Sequence, residues 1–192
     1  MRMTLWQTYR MKRVLFILLV SAFLSVFLIS IETFAAGEGS HGHGKSENIG
    51  SPGAQSEATK TVKIAMFDNY FQPKSLQFKE GETVQFIVKN SGEFVHEFNI
   101  ATKDMHKFHG PEMLMMIEHG VIEADKINWD AAKSMQKKLG HGMHNEPNSV
   151  LLEPGETAEI VWTFSTHALL EFACNVPGHY ESGMVGKIKL TH

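Results

Sequence analysis

The chain has 192 residues, and its 43% hydrophobic content is enough for one ordinary core. Its 18 basic and 21 acidic residues give a formal net charge of −3, which disfavours binding to nucleic acid or to an anionic membrane surface. Because there is one cysteine, no internal disulfide is available, and the thiol is either reactive or occupied.

Residues 1–36 have the pattern of a targeting segment. Basic residues at positions 10–13 precede an uncharged apolar run over 14–31, and Ala35-Ala36 offers a small-residue cleavage site. This pattern predicts a signal peptide and export. Because the apolar run is nearly long enough to cross a bilayer, an uncleaved membrane anchor is the alternative.

Residues 37–60 are rich in Gly, Ser and Glu and contain few apolar residues, which predicts a flexible tether. His41 and His43 lie within it. Two imidazoles on a flexible chain can collect Cu(II) weakly, but a histidine-containing linker without a metal role is equally common. Both interpretations stay open for these two residues.

Period-two alternation of apolar residues begins at Thr61 and predicts β-strands. The residues expected to face inward are Val62, Ile64, Met66, Val84, Phe86, Val88, Ala158, Ile160, Trp162 and Phe164. Gly- and Pro-containing turns separate these short strands. The pattern predicts an all-β fold, an antiparallel sandwich in which each strand buries one face.

Residues 103–148 interrupt this pattern and are longer than an ordinary loop. Helical character runs from Pro111 to His119, with Gly120 as a stop, and Asn128 can cap a second helix that ends at about Leu139. The segment therefore predicts a partly helical insertion.

The insertion is rich in methionine and histidine. Met113, Met116 and Ile117 recur at helical spacing, so we expect them to attach the insertion to the core. Thioether and imidazole groups outside that stripe suit Cu(I). The candidates for a second, weaker copper site are Met105, His106, His109, His141, Met143 and His144, with His41 and His43 of the tether.

Near the end of the chain, Cys174, His179 and Met184 follow one another at intervals of five residues. The Pro177-Gly178 pair supplies a turn that can fold this loop back on itself. A thiolate, an imidazole and a weak thioether are donors of a blue-copper centre, which needs one further histidine. The alternative is a buried free cysteine near an unrelated histidine and methionine.

This loop and the short strand after it resemble the copper loop of the cupredoxins. The upstream pattern of Phe71-x-Pro73, Leu76, Gly81-x-Thr83-Val84-x-Phe86 and Asn90 is similar to the first half of that family. The resemblance covers residues 61–102 and 149–191 and implies a Greek-key sandwich. It leaves the insertion outside the common pattern.

The resemblance also implies the metal ligands. In cupredoxins the first copper histidine follows a polar turn at the start of a strand, and His96 matches that position. The implied site is one type 1 copper with His96, Cys174 and His179 in the trigonal plane and Met184 as the axial ligand. Family members often carry Asn or Ser after the first histidine, whereas Glu97 stands here and leaves the surrounding hydrogen bonds open.

These features predict a periplasmic copper-tolerance protein that works through Cu(I)/Cu(II) redox chemistry. The alternatives are a soluble electron carrier with a redox partner protein and, for the enzyme class, a cuprous oxidase. The Met/His-rich insertion and the tether histidines favour tolerance, because a carrier needs neither. We expect the edge of His179 to face solvent beside Pro177 and Tyr180 and to be the route for electrons.

Overall fold

The computed structural model describes residues 48–139, 143, 146–165 and 167–192. The predicted signal peptide or anchor at 1–36 lies outside the described residues, as do His41, His43, His141 and His144. No helix in the described part of the chain is long and apolar enough to cross a membrane.

The described residues form ten strands, two α-helices and a short 3-10 helix at Gln55–Glu57. The strands are β1 (Gly50–Pro52), β2 (Lys60–Phe67), β3 (Tyr70–Gln72), β4 (Ser75–Lys79), β5 (Thr83–Asn90), β6 (His96–Ala101), β7 (Ser149–Leu152), β8 (Thr157–Phe164), β9 (Leu170–Ala173) and β10 (Val185–Thr191). The helices are α1 (Lys103–Glu118) and α2 (Trp129–Leu139).

Two five-stranded sheets form the sandwich, in the orders β1-β8-β5-β2-β3 and β4-β10-β9-β6-β7. The predicted all-β sandwich with a partly helical insertion is confirmed. The description of the sheets as antiparallel is wrong for two pairs, because β2 runs parallel to β5 and β4 runs parallel to β10. Period-two alternation is the same in both kinds of pair, so it could not reveal this difference.

Aromatic side chains from both sheets fill the core. Phe71 of the first sheet lies edge-on to Phe172 of the second, with ring centroids 5.1 Å apart. Phe86 lies edge-on to Phe78 with centroids 5.8 Å apart, and its ring is tilted against that of Phe98 at 5.6 Å. Such interlocked rings stabilise beyond the area that they bury, and they hold the two sheets at a fixed separation.

The predicted tether is too long at its carboxyl end, because residues 48–60 contact the sandwich. β1 pairs with the edge of β8, and Ile49 is buried while its carbonyl accepts a hydrogen bond from Trp162 Nε1 at 3.2 Å. Gly50 has φ +126°, and a Cβ there would lie 2.2 Å from the Thr163 carbonyl oxygen. Glycine therefore permits this close approach, which composition alone did not indicate.

The first helix begins earlier than predicted. α1 starts at Lys103, where the Thr102 hydroxyl caps it by accepting from the Met105 N–H at 3.3 Å, so Pro111 lies inside the helix. A proline favours the first turn of a helix because it lacks a backbone N–H, but its fixed φ is also compatible with a position inside the helix. The predicted stop at Gly120 is confirmed, with φ +67°.

The second helix follows the prediction, since Asn128 Oδ1 accepts from the Ala131 N–H at 3.0 Å and α2 ends at Leu139. Both helices belong to the segment of the chain that connects β6 to β7. Met113 and Met116 are buried in the core as expected, whereas Ile117 is 38% exposed and does not belong to it. The buried methionines fix α1 against the sandwich, next to the strand that begins at His96.

Candidate metal centre

Three predicted ligands come together at one end of the second sheet. His96 is the first residue of β6, Cys174 follows β9 directly, and His179 lies in the turn before β10. β6 and β9 are antiparallel neighbours, with Asn99 opposite Ala173, so the start of one strand meets the end of the other. His96, Cys174 and His179 thereby offer three ligand atoms within 4.8 Å of one another.

The spacing of these donor atoms fits a metal ion. His96 Nδ1 and His179 Nδ1 are 3.2 Å apart, and they lie 3.9 Å and 3.3 Å from Cys174 Sγ. A point equidistant from the three atoms is about 2.0 Å from each, close to a metal–imidazole bond length. One thiolate with two imidazoles is a donor set that suits copper.

Asp68 orients the His96 ring. Its Oδ1 accepts a hydrogen bond from His96 Nε2 at 2.8 Å, so the lone pair on Nδ1 points toward Cys174. A carboxylate behind a ligating imidazole fixes both its tautomer and its direction. Gly92 leaves room for this contact, because an added Cβ would lie 2.3 Å from Asp68 Oδ1 and 2.8 Å from His96 Nε2.

The surroundings of the ligands favour the neutral imidazoles of His96 and His179 and the protonated thiol of Cys174. Burial lowers the pKa of both His96 and His179, and the charge of His96 lowers that of His179 further. Burial raises the pKa of the Cys174 thiol to about 12, although the Glu97 N–H that faces Sγ opposes this. Such a thiol is a poor nucleophile, and a soft metal ion is the partner that would displace its proton.

Backbone hydrogen bonds close the ligand loop. Cys174 N–H donates to the Met184 carbonyl at 3.1 Å, and Met184 N–H donates to the His179 carbonyl at 2.9 Å. The predicted turn is present, with Gly178 at φ +88°. Met184, the predicted axial ligand, is fully buried at the base of this closed loop.

Glu97 joins the two ligand segments. Its N–H donates to Cys174 Sγ at 3.3 Å, and its Oε2 accepts from the Asn175 backbone N–H and Nδ2, at 3.2 Å and 2.7 Å. Oε1 also accepts from the Ser149 hydroxyl at 2.7 Å. The residue that departs from the family pattern therefore makes the connection between ligand segments, through a buried carboxylate.

The insertion supplies the counter-charge to this carboxylate. His109 Nε2 donates to Glu97 Oε1 and His109 Nδ1 donates to Glu112 Oε2, both at 3.1 Å. Burial alone would lower the pKa of His109, but the two carboxylates raise it to about 9. Burial would raise the pKa of Glu97, but His109, Ser149 and Asn175 lower it to about 2. The pair is thus charged at neutral pH.

The residues predicted for a second copper site do not all converge. His106 is buried and donates from Nδ1 to Asn175 Oδ1 at 3.1 Å, beside Cys174. His109 and Met143 line one cleft between the insertion and β7, together with Met113 and Met116. Among the described residues, Met105 and His106 lie outside the lining of that cleft.

Sequence reasoning missed Asp68 as a partner of His96 and the pairing of Glu97 with His109. Asp68 follows β2, which reaches the His96 turn only because β2 lies beside β5. The one local signal was Glu97 itself, an acidic residue in a strand that also carries Phe98 and Ile100, since a buried charge requires a partner.

Comparison with known proteins points to one family. The cupredoxin-like domain family matches residues 43–127. The copper-resistant cuproprotein CopI of Pseudomonas aeruginosa is 38% identical over 174 residues, covering 85% of this chain and 93% of that protein. The CopI proteins of Rubrivivax gelatinosus and Vibrio cholerae are 35% and 30% identical, over 80% and 74% of this chain and 80% and 72% of their own lengths.

Solved structures support the same fold. Dithionite-reduced auracyanin from Roseiflexus castenholzii superposes with a TM-score of 0.50 at 20% identity, covering 70% of this chain and 99% of that one. Auracyanin B superposes with a TM-score of 0.51 at 18% identity, covering 76% and 100%. At these identities the likeness concerns the fold.

Proposed function

The chain belongs to the CopI family of copper-resistant cuproproteins, and from this premise we propose that it is an exported, periplasmic type 1 copper protein that acts in copper tolerance. The proposal rests on the triangle of donor atoms from His96, Cys174 and His179. Met184, which is buried and whose carbonyl accepts a hydrogen bond from the Cys174 N–H, is the proposed axial ligand. Bound copper would supply one-electron exchange between Cu(I) and Cu(II).

The protein's own contribution is to hold the ligands before the metal arrives. Asp68 fixes the His96 ring, and Glu97 fixes Cys174 through Sγ and through Asn175. Ligands held in this way move little when the charge of the metal changes, which favours fast electron exchange.

His179 is the ligand nearest to solvent. It is half-buried, whereas His96 and Cys174 are fully buried. Pro177 and Tyr180 are also half-buried and lie beside it in the chain. Electrons would therefore enter and leave through the His179 edge, whether the partner is Cu(I) in solution or a redox protein.

A second, weaker copper site is supported by the cleft that Met113, Met116 and Met143 share with His109. Thioether sulfurs favour Cu(I). His109 is already bound to two carboxylates, so methionine sulfurs would supply the ligands and His109 would remain with Glu97. Met143→Leu should then weaken Cu(I) binding in competition with a chelator, whereas Met105→Leu, outside the cleft, serves as the matched control. If the two changes affected Cu(I) binding equally, the cleft would not be the Cu(I) site.

The type 1 assignment is tested with Cys174→Ser. The purified protein should bind one Cu(II) with intense visible absorption from thiolate-to-copper charge transfer, and the variant should lose that absorption while its far-UV circular dichroism is unchanged. His119→Gln is the control, because His119 is exposed and distant from the ligands in the chain. A coloured Cys174→Ser protein would refute the assignment.

The tolerance role is tested in a deletion strain. Growth under excess copper and respiration are measured with the wild-type gene and with the Cys174→Ser gene. Copper sensitivity with normal respiration supports tolerance, whereas impaired respiration with normal copper resistance supports the electron carrier. Catalytic consumption of oxygen with Cu(I) by the purified protein would instead support a cuprous oxidase.

A further inference from the structure

A second group of metal-ligand atoms lies at the opposite end of the sandwich. Glu80 follows β4, His167 lies in the connection between β8 and β9, and His192 follows β10. Their side chains offer three ligand atoms within 4.8 Å of one another. The seven residues of β10 separate this group from Met184, a distance of about 20 Å, so the two groups are independent.

Both imidazoles face one carboxylate with the same ring nitrogen. His167 Nδ1 is 3.3 Å from Glu80 Oε1, and His192 Nδ1 is 3.0 Å from Glu80 Oε2. The edges of a tetrahedral zinc site with imidazole and carboxylate ligands are also about 3.3 Å, given metal–ligand bonds of about 2.0–2.2 Å. A small closure of the exposed rings would therefore bring all three ligands to bonding distance of one ion.

The backbone positions these three segments without a metal. Glu80 N–H donates to the Thr191 carbonyl at 2.9 Å, next to His192, and Gly81 N–H donates to the Phe164 carbonyl at 3.1 Å. The His167 N–H itself donates to Glu80 Oε1 at 3.1 Å. Because the carboxylate is already held in place, only two imidazole rings remain to be ordered on binding.

The high exposure of the two histidine side chains favours a metal site over a structural ion pair. Glu80 is only 14% exposed, but the side chains of His167 and His192 are 75% and 81% exposed. Contacts between such exposed rings and a carboxylate stabilise a fold little. A metal ion from solvent can reach both rings, and neutral imidazole with carboxylate suits borderline divalent ions such as Zn²⁺ and Cu²⁺.

We propose that Glu80, His167 and His192 form a second metal site, separate from the type 1 centre, which binds one borderline divalent ion. The three residues are brought together by the turn after β4, the β8–β9 connection and the end of β10. Each contributes one donor, and water completes the coordination. This site is independent of the cleft near His109 and of the copper ligands.

The test uses the full chain with the type 1 site filled by Cu(I), which is diamagnetic, and Zn²⁺ as the probe. Histidine ring signals are followed by NMR during the titration, with the signals of His167 and His192 assigned from single alanine variants. Both signals should shift together and saturate at one equivalent of Zn²⁺. Signals that stay unmoved at millimolar Zn²⁺, or that move at different Zn²⁺ concentrations, would overturn the proposal.

Two further variants keep the test decisive. Glu80→Gln and His192→Ala should each weaken Zn²⁺ binding at His167 by about tenfold or more, since loss of even a hydrogen-bond partner of a metal ligand costs about 10–100-fold. His119→Ala, which removes an exposed histidine outside the group, should leave that binding unchanged. Because His192 is exposed, we expect His192→Ala to leave the fold unchanged. Unchanged binding in either variant would overturn the three-residue site.

Discussion

The charged pair of His109 and Glu97 can be tested through its effect on stability. We choose His109→Gln, because the glutamine amide can still donate a hydrogen bond to Glu97 but carries no charge. The side chain of His109 is 17% exposed and that of Glu97 is 4% exposed, so solvent screens their interaction weakly.

The size of the effect follows from the pKa of His109. A rise from 6.5 to about 9 corresponds to about 3 kcal/mol in favour of the protonated ring in the folded protein. The lowering of the Glu97 pKa from 4.5 to about 2 is the same interaction expressed at its partner, so the two are not added. Breaking a buried pair by removing one charge typically costs about 3–5 kcal/mol, a comparable magnitude.

The dependence on pH has a defined sign. Because the pKa of His109 is higher in the folded protein, its contribution is fully present below pH 6.5 and is lost as the pH rises through about 9. The Glu97 contribution is present above pH 4.5 and is lost as the pH falls through about 2. The difference between wild type and His109→Gln should thus be greatest between pH 4.5 and 6.5.

Urea unfolding of the metal-free protein, followed by circular dichroism, measures this difference. Wild type should exceed His109→Gln by about 3 kcal/mol at pH 6, and the gap should close by about that amount by pH 9.5. His119→Gln, an exposed change just after the same helix, should differ from wild type by less than about 0.5 kcal/mol at every pH. A gap that does not change with pH would refute the ion pair as its source.

Three further changes probe the site and its support. Asp68→Ala should weaken copper binding about 10–100-fold in chelator competition, because His96 loses its carboxylate partner, and unchanged affinity would contradict that role. Met184→Leu should keep copper and colour but raise the reduction potential measured by voltammetry, whereas complete loss of copper would make Met184 a primary ligand. Gly186→Ala should lower the free energy of unfolding by about 1–3 kcal/mol, because the added Cβ would lie 2.1 Å from Phe172 Cζ. An unchanged urea midpoint would contradict that packing.

The strand positions and the ligand loop around Cys174 can be predicted from the sequence. Apolar residues in β5 and β8 alternate as the pleat requires, and the residues expected to face inward there are buried, with Ala158 half-buried. Cys174 and His179 are separated by a turn that closes within one loop, so their convergence is a local property. His96 was found from its place in a family pattern, not from its surroundings.

The contacts that hold the ligands in place depend on the tertiary structure. Asp68 reaches His96 because β2 runs parallel to β5, and His109 reaches Glu97 because buried methionines fix α1 against the second sheet. The group of Glu80 with two histidines depends in the same way on segments far apart in the chain. These contacts depend on sheet order and on the placement of helices against the core, and alternation along a single strand carries information about neither.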